Sequence, residues 1–401
     1  MKRFWKIAKT EFISIFKDGG AMLILFGAML IYGTLYPLIY APQVVRDFPV
    51  AVVDLDNTPA SRKLTRMLDA TPEADVRYMP LNLEEARQLF FARKVYGVLY
   101  IPQGYGKRIL AGEQNHISLY ADGSYFLLYS DFLSAVSEVT MSVGGEIQIE
   151  KLTAAGMTEK QAEWVSQPVP YDVNILYNPY GGYATAVMPP VLILIAQQLL
   201  LIGIGFVGGT WYEKGTWRRF RDYSAVRLTL AKATAYLFLY IPLMLYMFSF
   251  QYKFFGYPMN GNHTDLLLVF IPYLLSVIFL GLTFGALFRR RETSMMVLIV
   301  TSVFFLIVSG ISWPKEGMPE WLYALGRLAP SSSGIDALVR IRTMGATLQQ
   351  VAPEIITLWI LTGVYGITAV VATRRRTHEL RTAAEAARQE RKMRELSSNN
   401  S

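Results

Sequence analysis

Six apolar segments of about 20 residues or more alternate with polar stretches along the chain. They lie at residues 21–41, 184–207, 229–255, 266–288, 294–313 and 351–372. An α-helix of about 20 apolar residues crosses the hydrocarbon core of a bilayer. The pattern therefore predicts six transmembrane helices, with both termini on one side of the membrane.

Residues 1–20 predict an amphipathic helix before the first span. Phe4, Ala8, Phe12 and Ile15 recur at helical spacing, and lysines occupy the other side. Such a helix would lie flat on the lipid headgroups. The alternative is an irregular basic leader that only orients the first span.

Residues 42–180 have a different pattern, in which short β-branched strands alternate with amphipathic helices. Strands are predicted at 48–55, 95–101 and 116–121, and helices begin after the caps Thr58 and Asn82. This alternation predicts an α/β domain of roughly 130 residues with its own core. Asp54 and Asp56 are interpreted as turn and cap residues rather than as a catalytic carboxylate pair.

One long helix is predicted at residues 124–152. Apolar residues recur along it every three or four positions, which is typical of a heptad seam. They are Phe126, Tyr129, Leu133, Val136, Thr140, Val143 and Ile147. This face either packs on the domain's own sheet or also meets a second copy, with Tyr129, Leu133, Val136 and Val143 at the dimer seam.

Basic residues set the orientation. They cluster at the N-terminus, in the 208–227 loop, at 289–291 and from 374 onward, and such clusters stay in the cytoplasm. The predicted fold class is a polytopic α-helical membrane protein with six transmembrane helices and an extracytoplasmic α/β domain. The predicted segments are an entry helix at 1–20, a first span at 21–41, the outside domain at 42–180, a five-helix membrane domain at 184–373 and a basic tail at 374–401, which is a solvated helix or disordered.

The composition excludes several classes of function. The net charge of +8 lies beside the ends of the apolar segments, which favours a membrane over nucleic acid as the partner. There is no cysteine, and three scattered histidines predict no metal site. The chain contains no phosphate-binding G-x-x-x-x-G-K-[ST] loop, so it is not predicted to be an ATP-hydrolysing enzyme. The G-x-G-x-x-G letters at 203–208 lie within a span and are spurious.

Neutral polar residues lie inside the spans. They are Gln197, Gln198, Thr283 and Ser302. They either form hydrogen bonds between helices or line a pathway, and adjacent glutamines cannot both face lipid at low cost. No charged residue is expected near the middle of a span, which disfavours a secondary transporter. The pairs Gly205–Gly209 and Gly281–Gly285 have the spacing of closely packed membrane helices.

Several short features follow one another in a fixed order along nearly the whole chain: Lys9-Thr10-Glu11, Lys17-Asp18, Asn178-Pro179, Glu213-Lys214-Gly215-Thr216, Lys232, Ser309-Gly310, Pro314, Met318-Pro319, Trp321 and Pro330. In this order and spacing they resemble the permease of a bacterial type 2 ATP-binding-cassette (ABC) exporter with a large periplasmic insert. The resemblance implies that the 208–222 loop holds a short coupling helix which docks on an ATPase. It also implies that the outer loop 314–350 helps to close the exit, with Ser309, Gly310, Pro314, Pro319 and Pro330 as gate candidates.

The coupling loop also has a local interpretation. Gly215 suits a turn, Thr216 a helix N-cap, and Trp217 with Arg218 an exposed docking anchor beside Glu213 and Lys214. The alternative is a solvated connection. Where the family often has another acidic residue after Gly-Thr, this chain has Trp217-Arg218-Arg219.

The expected function is that of the permease subunit of an exporter in the bacterial inner membrane, with both termini cytoplasmic and residues 42–180 periplasmic. We expect a hydrophobic or amphipathic substrate such as a drug or lipid. The expected partners are cytosolic ABC ATPase subunits, which would bind ATP and Mg²⁺, a second copy or a paralogous permease, the lipid membrane and a periplasmic adaptor protein. No cofactor is expected in this chain. The alternative is a membrane-anchored receptor or assembly scaffold whose outside domain binds a ligand without transport.

Overall fold

The computed structural model describes residues 2–170, 173–179 and 181–398, so the end of the predicted tail lies outside the described residues. The chain divides into two compact units. One comprises Met1–Gln43 with Ile175–Ser401, and the other comprises Val44–Asn174. We call them the membrane unit and the α/β domain.

The elements follow in chain order. Before the α/β domain come α1 (Lys2–Lys17), α2 (Gly19–Met22), a π-helical segment (Leu23–Gly27) and α3 (Ala28–Ile39). Within it come β1 (Phe48–Asp54), α4 (Pro59–Asp69), β2 (Ala74–Tyr78), α5 (Leu83–Phe91), β3 (Gly97–Ile101), α6 (Tyr105–Ala111), β4 (Ser118–Ala121), α7 (Phe126–Ala154) and α8 (Glu159–Ser166). After it come α9 (Tyr183–Glu213), α10 (Thr216–Phe220), α11 (Ala225–Leu245), a π-helical segment (Tyr246–Gln251), α12 (Tyr252–Phe254), α13 (His263–Leu287), α14 (Arg291–Val308), a 3-10 turn (Lys315–Gly317), α15 (Glu320–Gly326), α16 (Pro330–Met344) and α17 (Ala352–Ser398).

The prediction of six spans is confirmed, because six helices among the described residues are long and apolar enough to cross a membrane. They are Gly19–Ile39, Tyr183–Glu213, Ala225–Phe254, His263–Leu287, Arg291–Val308 and Ala352–Glu390. Four predicted limits were wrong by four residues or more. The second span ends at Glu213 rather than 207. The third span begins at Ala225 rather than 229, and the fifth ends at Val308 rather than 313, where Gly310 turns the chain at a φ of 87°. The sixth continues without a break into the basic tail as far as Ser398.

The centre of the membrane unit is α9, which packs on α13 and α14. A Cβ atom on Gly208 would lie 2.3 Å from the carbonyl oxygen of Gly285, and one on Gly205 would lie 2.2 Å from Ser294 Oγ. Glycines therefore let the backbones approach one another closely. The predicted packing role of Gly205–Gly209 and Gly281–Gly285 is confirmed, since all four face a neighbouring helix at these distances or slightly longer.

The segment 314–350, predicted as a loop, contains two helices. α16 packs against α9, α13 and α17, and its first residues, Pro330 to Ser333, are buried. Proline at the first helical position explains where α16 begins, because a missing N–H costs nothing there. α16 ends at Met344, and Gly345 caps it with a φ of 74°, which suits glycine.

The α/β domain is built on a four-stranded sheet of order β2-β1-β3-β4. β1 is parallel to β2 and β3, and β4 is antiparallel to β3. One face of the sheet packs on α4 and α7, and the other packs on α5. The sequence analysis missed β2, whose polar residues Asp75 and Arg77 hide its strand character. Asp54 and Asp56 accept hydrogen bonds from turn and cap groups, as interpreted.

The long helix predicted at 124–152 is α7, but its seam is divided. Val136 and Val143 are buried in the domain's own core together with Phe132. They were therefore wrongly placed at a dimer seam. Tyr129 and Leu133 are 38% and 41% exposed.

Candidate functional site

The predicted coupling loop contains a turn and a short helix. α9 ends at Glu213, and Gly215 turns the chain at a φ of 67°, a conformation that glycine adopts without strain. α10 then begins at Thr216. The predicted N-cap was displaced by one residue, because Gly215 occupies the cap and makes no side-chain hydrogen bond there.

Trp217 is not the exposed anchor that the sequence suggested. Its side chain is 2% exposed, and its indole Nε1–H donates to the carbonyl oxygen of Gly208 at 3.2 Å. The ring packs edge-on against Trp211, with 5.7 Å between centroids. The amphipathic pattern of α10 explains this, because Trp217 and Phe220 are three residues apart and both face inward. Trp217 therefore fastens α10 to α9.

A buried lysine joins these tryptophans to a third helix. Lys232 of α11 lies with Nζ 3.5 Å from the ring centroid of Trp211 and 4.6 Å from that of Trp217. Two indole faces around one desolvated ammonium make favourable cation–π contacts. Lys232 is only 3% exposed, so its charge needs a partner.

That partner comes from the entry helix. Glu11 of α1 is 1% exposed, and Lys232 Nζ lies 3.2 Å from its Oε2. The hydroxyl of Tyr236 donates to Glu11 Oε1 at 2.6 Å. Together, these contacts tie α1, α9, α10 and α11 into one buried cluster, which we call the tryptophan–lysine cluster: Glu11, Trp211, Trp217, Lys232 and Tyr236.

The entry helix therefore packs differently from the prediction. α1 is helical, but its buried residues are Ile7, Ala8, Glu11 and Ile15, while Phe12 is 38% exposed. The predicted apolar face included Phe12 and did not include Glu11. The true face follows the spacing of Ile7, Glu11 and Ile15, with a carboxylate in the middle.

Two surface ion pairs and one tail contact flank the cluster. Lys214 Nζ lies 3.1 Å from Asp18 Oδ2, and Arg291 Nε lies 3.7 Å from Glu213 Oε2. Glu213 Oε1 also accepts the backbone N–H of Arg291 at 3.0 Å. Burial would raise the pKa of Asp18, but the hydrogen bond from Lys214 and the N–H groups of Ala21 and Gly20 hold it below its usual value. The tail helix α17 also supports the loop, because Arg381 Nε donates to the carbonyl oxygen of Arg221 at 2.7 Å.

Arg218 and Arg219 are the outward side chains of α10. Both are exposed, and within the described residues neither forms an ion pair. They lie on a helix whose inner face is fixed by Trp217 and Phe220. The loop thus presents two cations on a rigid support.

The intramembrane polar residues are engaged in hydrogen bonds. Gln197 Oε1 accepts the N–H of Ser331 at 2.7 Å, and Gln198 Nε2 donates to the carbonyl oxygen of Leu298 at 2.7 Å. Thr283 pairs with Thr368 at 3.0 Å. Among the described residues, Ser302 bonds within its own helix, to the carbonyl oxygen of Ile299. Three of the four candidates therefore join two helices each.

The gate candidates surround the start of α15 and α16. Ser309 Oγ accepts the N–H of Ile311 at 3.2 Å in the turn after α14. Gly310 and Pro314 line a surface cleft of about 450 Å³ beside α16, Pro319 precedes α15, and Pro330 begins α16. This end of the spans is opposite to the coupling loop, since α14 runs from Arg291 beside Glu213 to Val308.

Charged residues that the sequence analysis did not select form a second cluster there. Lys315 Nζ lies 2.6 Å from Asp336 Oδ2, and Arg340 Nη1 lies 3.0 Å from Glu354 Oε1. These pairs join the 3-10 turn to α16, and α16 to α17. Burial raises the pKa of Asp336, while Lys315 acts in the opposite direction. We call Lys315, Asp336, Arg340 and Glu354 the distal charge cluster.

A further missed residue is Arg376 of α17. Its Nε donates to the carbonyl oxygen of Ala286 at 2.8 Å, and its Nη2 donates to that of Leu287 at 2.7 Å. It therefore caps the C-terminal end of α13, where the helix leaves carbonyl groups unpaired. The preceding arginines at 374 and 375 masked this role, because the sequence shows only a basic run.

Six spans, a buried cluster that fastens the short helix α10, and a packed helical segment before the last span are the architecture of a multi-pass membrane permease. The sequence matches the description "ABC-2 family transporter protein" over residues 20–371, and the chain belongs to that family. It is also 21% identical over 380 residues to a protein named probable multidrug ABC transporter permease YbhR in Escherichia coli strain K12 and in Escherichia coli O157:H7. Each alignment covers 93% of this chain and 99% of the relative.

Membership of this family implies association with an ABC ATPase and dimerisation in a membrane. Such permeases are typically transport subunits without enzymatic activity of their own. The resemblance drawn from the sequence is therefore confirmed at the level of the permease family.

Proposed function

We propose that the chain is the permease subunit of an ATP-driven exporter that moves a hydrophobic or amphipathic substrate outward across the bacterial inner membrane. The observation that carries this proposal is the tryptophan–lysine cluster. It fastens the short helix α10 to α1, α9 and α11 through buried contacts. A docked ATPase that displaces α10 would therefore displace three other helices with it.

The helix α9 offers a route to the distal end. Its C-terminal end carries Trp211, and its middle carries Gln197, bonded to the first turn of α16. They are 14 positions apart, which corresponds to about 20 Å of helix. A tilt of α9 driven from the coupling loop would thus reach α16 and the distal charge cluster, which would open or close the exit.

Arg218 and Arg219 form the docking surface in this proposal. Their guanidinium groups suit carboxylates on the partner, so the ATPase groove is acidic. ATP and Mg²⁺ bind the ATPase, and this chain supplies the mechanical connection. The motor contacts these arginines, while Trp217 transmits the movement inward.

The proposed orientation has both termini and the coupling loop in the cytoplasm and the α/β domain in the periplasm. The Lys/Arg clusters at 2–17, 218–227, 289–291 and 374–376 support it. A drug or lipid-like substrate is supported by the apolar spans and by the relatives named multidrug permeases. A second copy completes the permease in this proposal, a paralogous permease is the alternative, and a periplasmic adaptor would bind the α/β domain.

Co-purification and transport test the proposal. The tagged chain is purified from its native membranes, the ABC ATPase bound to it is identified, and both are reconstituted in liposomes with a fluorescent amphipathic dye. We expect ATP-dependent dye movement. We also expect Arg218→Glu with Arg219→Glu to abolish ATPase binding, while Arg227→Glu, an exposed cation in the same region, retains it. Absence of ATP-dependent movement with a bound ATPase would exclude export of such substrates, and absence of any ATPase would favour the receptor or scaffold.

Reporter fusions test the orientation. A fusion at residue 110 should report the periplasm, and a fusion at the C-terminus should report the cytoplasm. Reports of the same compartment from both positions would contradict the proposed topology.

A further inference from the structure

The two edges of the sheet in the α/β domain differ in protection. The β2 edge carries Asp75 and Arg77, which pair with each other at 2.5 Å. The β4 edge reads Ser118-Leu119-Tyr120-Ala121 and has no charge, no proline and no shift in its register with β3. Soluble domains usually block a free edge by one of these devices. The β4 edge therefore lacks the protection that the β2 edge has.

Backbone groups of two residues on β4 point away from the sheet. The N–H of Asp122 bonds to the carbonyl oxygen of Tyr96 on the β3 side. Direction alternates along a strand, so the backbone groups of Tyr120 and Ser118, which lie opposite Val98 and Tyr100, also face β3. The N–H and C=O groups of Leu119 and Ala121 then face the open edge.

An apolar groove follows this edge. It has a volume of about 540 Å³, and Leu119, Tyr120 and Ala121 all line it. Consecutive side chains of a strand point to opposite faces, so a cavity that touches three in a row lies along the edge. Phe90 of α5 and Tyr129 of α7 line the groove as well.

A row of exposed apolar side chains on α7 lies near the same edge. Phe126, Tyr129 and Leu133 are 77%, 38% and 41% exposed, and their spacing of three and four puts them on one side of the helix. Tyr120 on the edge strand is 46% exposed. An added peptide strand would occupy the edge but leave most of this row uncovered, whereas a second copy of the domain would bring a matching row.

We propose that β4 is a dimerisation edge, at which the α/β domains of two copies of this chain join into one eight-stranded sheet. A two-fold axis at Tyr120 pairs Leu119 of each copy with Ala121 of the other. Each pair exchanges two backbone hydrogen bonds, which gives four in total. Tyr120 then lies directly opposite its counterpart, where cross-strand aromatic pairs stabilise a sheet.

The family of the chain supports a second copy as the partner at the β4 edge. Family membership implies dimerisation of the permease in a membrane, and the second copy that we propose as its partner brings an identical domain into the assembly. Both ends of each domain are tethered to its own membrane unit, so the two domains meet at a high effective concentration. A four-residue edge that would be too weak for free domains can then pair. The inference rests on the second copy proposed above and not on the direction or substrate of transport.

Disulfide trapping in the full-length chain tests this interface, and the absence of native cysteine keeps the readout clear. Opposite residues in a non-hydrogen-bonded pair bring their Cβ atoms to about 4.5–5.5 Å, so a modest adjustment allows a disulfide. Tyr120→Cys in membranes under mild oxidation should therefore give a disulfide-linked dimer of the chain. Arg77→Cys, exposed on the opposite edge, should give none.

A second variant separates strand pairing from mere proximity. Ala121→Pro removes an outward N–H without removing a bond to β3, and proline is tolerated on an edge strand. Added to Tyr120→Cys, it should abolish the disulfide-linked dimer while the chain still elutes at its normal size. Retention of the dimer in this double variant would overturn the strand pairing.

Other results would also overturn the proposal. One is an absence of Tyr120→Cys dimers in a chain that light scattering shows to be dimeric, and another is a monomeric chain. Equal trapping by Arg77→Cys would indicate random collision. A disulfide-independent photo-crosslink from position 120 to a different protein would assign the edge to that partner. None of these results depends on whether dye transport is observed.

Discussion

Glu11 of the entry helix and Lys232 of the third span form an ion pair 3.2 Å long in which both side chains are at least 97% buried. Desolvation of two charges is costly, and the hydrogen bond from Tyr236 and the two indole rings around Lys232 offset part of that cost. A pair of this kind specifies which residues of α1 and α11 meet. It therefore fixes the register of the entry helix on the membrane unit.

Removal of one partner should be far more harmful than removal of both charges. Lys232→Ala leaves the Glu11 carboxylate buried without its counterion, which should cost about 3–5 kcal/mol of stability. Adding Glu11→Gln removes the orphan charge and should restore part of the loss. Thermal unfolding of the purified chain in detergent measures both effects.

The surface pair of the same region supplies the control. Lys214 is 61% exposed in its pair with Asp18, so Lys214→Ala should cost no more than about 1 kcal/mol. If Lys232→Ala and Lys214→Ala lower the unfolding temperature equally, the buried pair does not hold α1 in place.

Substitutions of Trp217 and of Arg218 should have different effects on stability and on ATPase binding. Trp217→Ala empties a buried site and should destabilise the chain by about 3–5 kcal/mol. Trp217→Phe keeps a ring near Lys232 but loses the bond to Gly208, at a cost of about 1 kcal/mol. Arg218→Glu should leave the unfolding temperature unchanged and weaken ATPase binding. Unfolding and ATPase co-purification, measured on the same preparations, distinguish these outcomes.

The contrasting result is equally specific. If the Trp217→Ala variant keeps the unfolding temperature of the wild type but no longer binds the ATPase, then the tryptophan faces the partner in the assembled transporter. The original docking interpretation would then hold in spite of its burial in the isolated chain.

The sequence predicted the spans because a long run of apolar residues suits a helix to the bilayer, whatever its neighbouring helices are. It did not place Glu11 on the buried face because only apolar residues were used to define that face, although Ile7, Glu11 and Ile15 share a spacing of four. It misplaced Trp217 because the sequence of α10 does not show that Trp211 and Lys232 lie beneath it. Local pattern identifies elements, whereas tertiary contacts decide which side of an element is inside.

The same limit applies to the α/β domain and the segment before the last span. Val136 and Val143 match a heptad seam and a core stripe equally well, and only the position of the sheet decides between them. The distal charge cluster joins residues 315, 336, 340 and 354 from three elements, so no single stretch of sequence displays it. The burial of α16 likewise involves a distant residue, because its Ser331 donates a hydrogen bond to Gln197, more than a hundred residues away.

The close packing of α9 on α13 can be tested by replacing the glycine at which the two helix backbones meet. Gly208→Ala would place a Cβ 2.3 Å from the backbone oxygen of Gly285, and backbone cannot rotate away as a side chain can. The two helices must separate, so we expect a cost of about 1–3 kcal/mol. Gly363→Ala in α17 meets nothing within 4 Å and should be neutral or slightly stabilising. Equal unfolding temperatures for the two variants would contradict this packing.

Two aspartates at opposite ends of the spans should respond to pH with opposite signs. The folded-state pKa of Asp336 is raised by burial, although Lys315 opposes the shift, so ionisation of Asp336 costs stability as pH rises through that pKa. The pKa of Asp18 is lowered by the hydrogen bond from Lys214 and by backbone N–H groups, which outweigh its burial, so Asp18 contributes stability that is lost as pH falls through that pKa. Unfolding temperatures of the wild type, Asp336→Asn and Asp18→Asn are measured from about pH 3 to 6, a window that brackets the ordinary aspartate value. As pH falls, the advantage of the wild type over Asp336→Asn should grow and its advantage over Asp18→Asn should shrink. If the advantage of the wild type changes in the same direction with pH for both variants, the pKa values of Asp336 and Asp18 are not shifted in opposite directions.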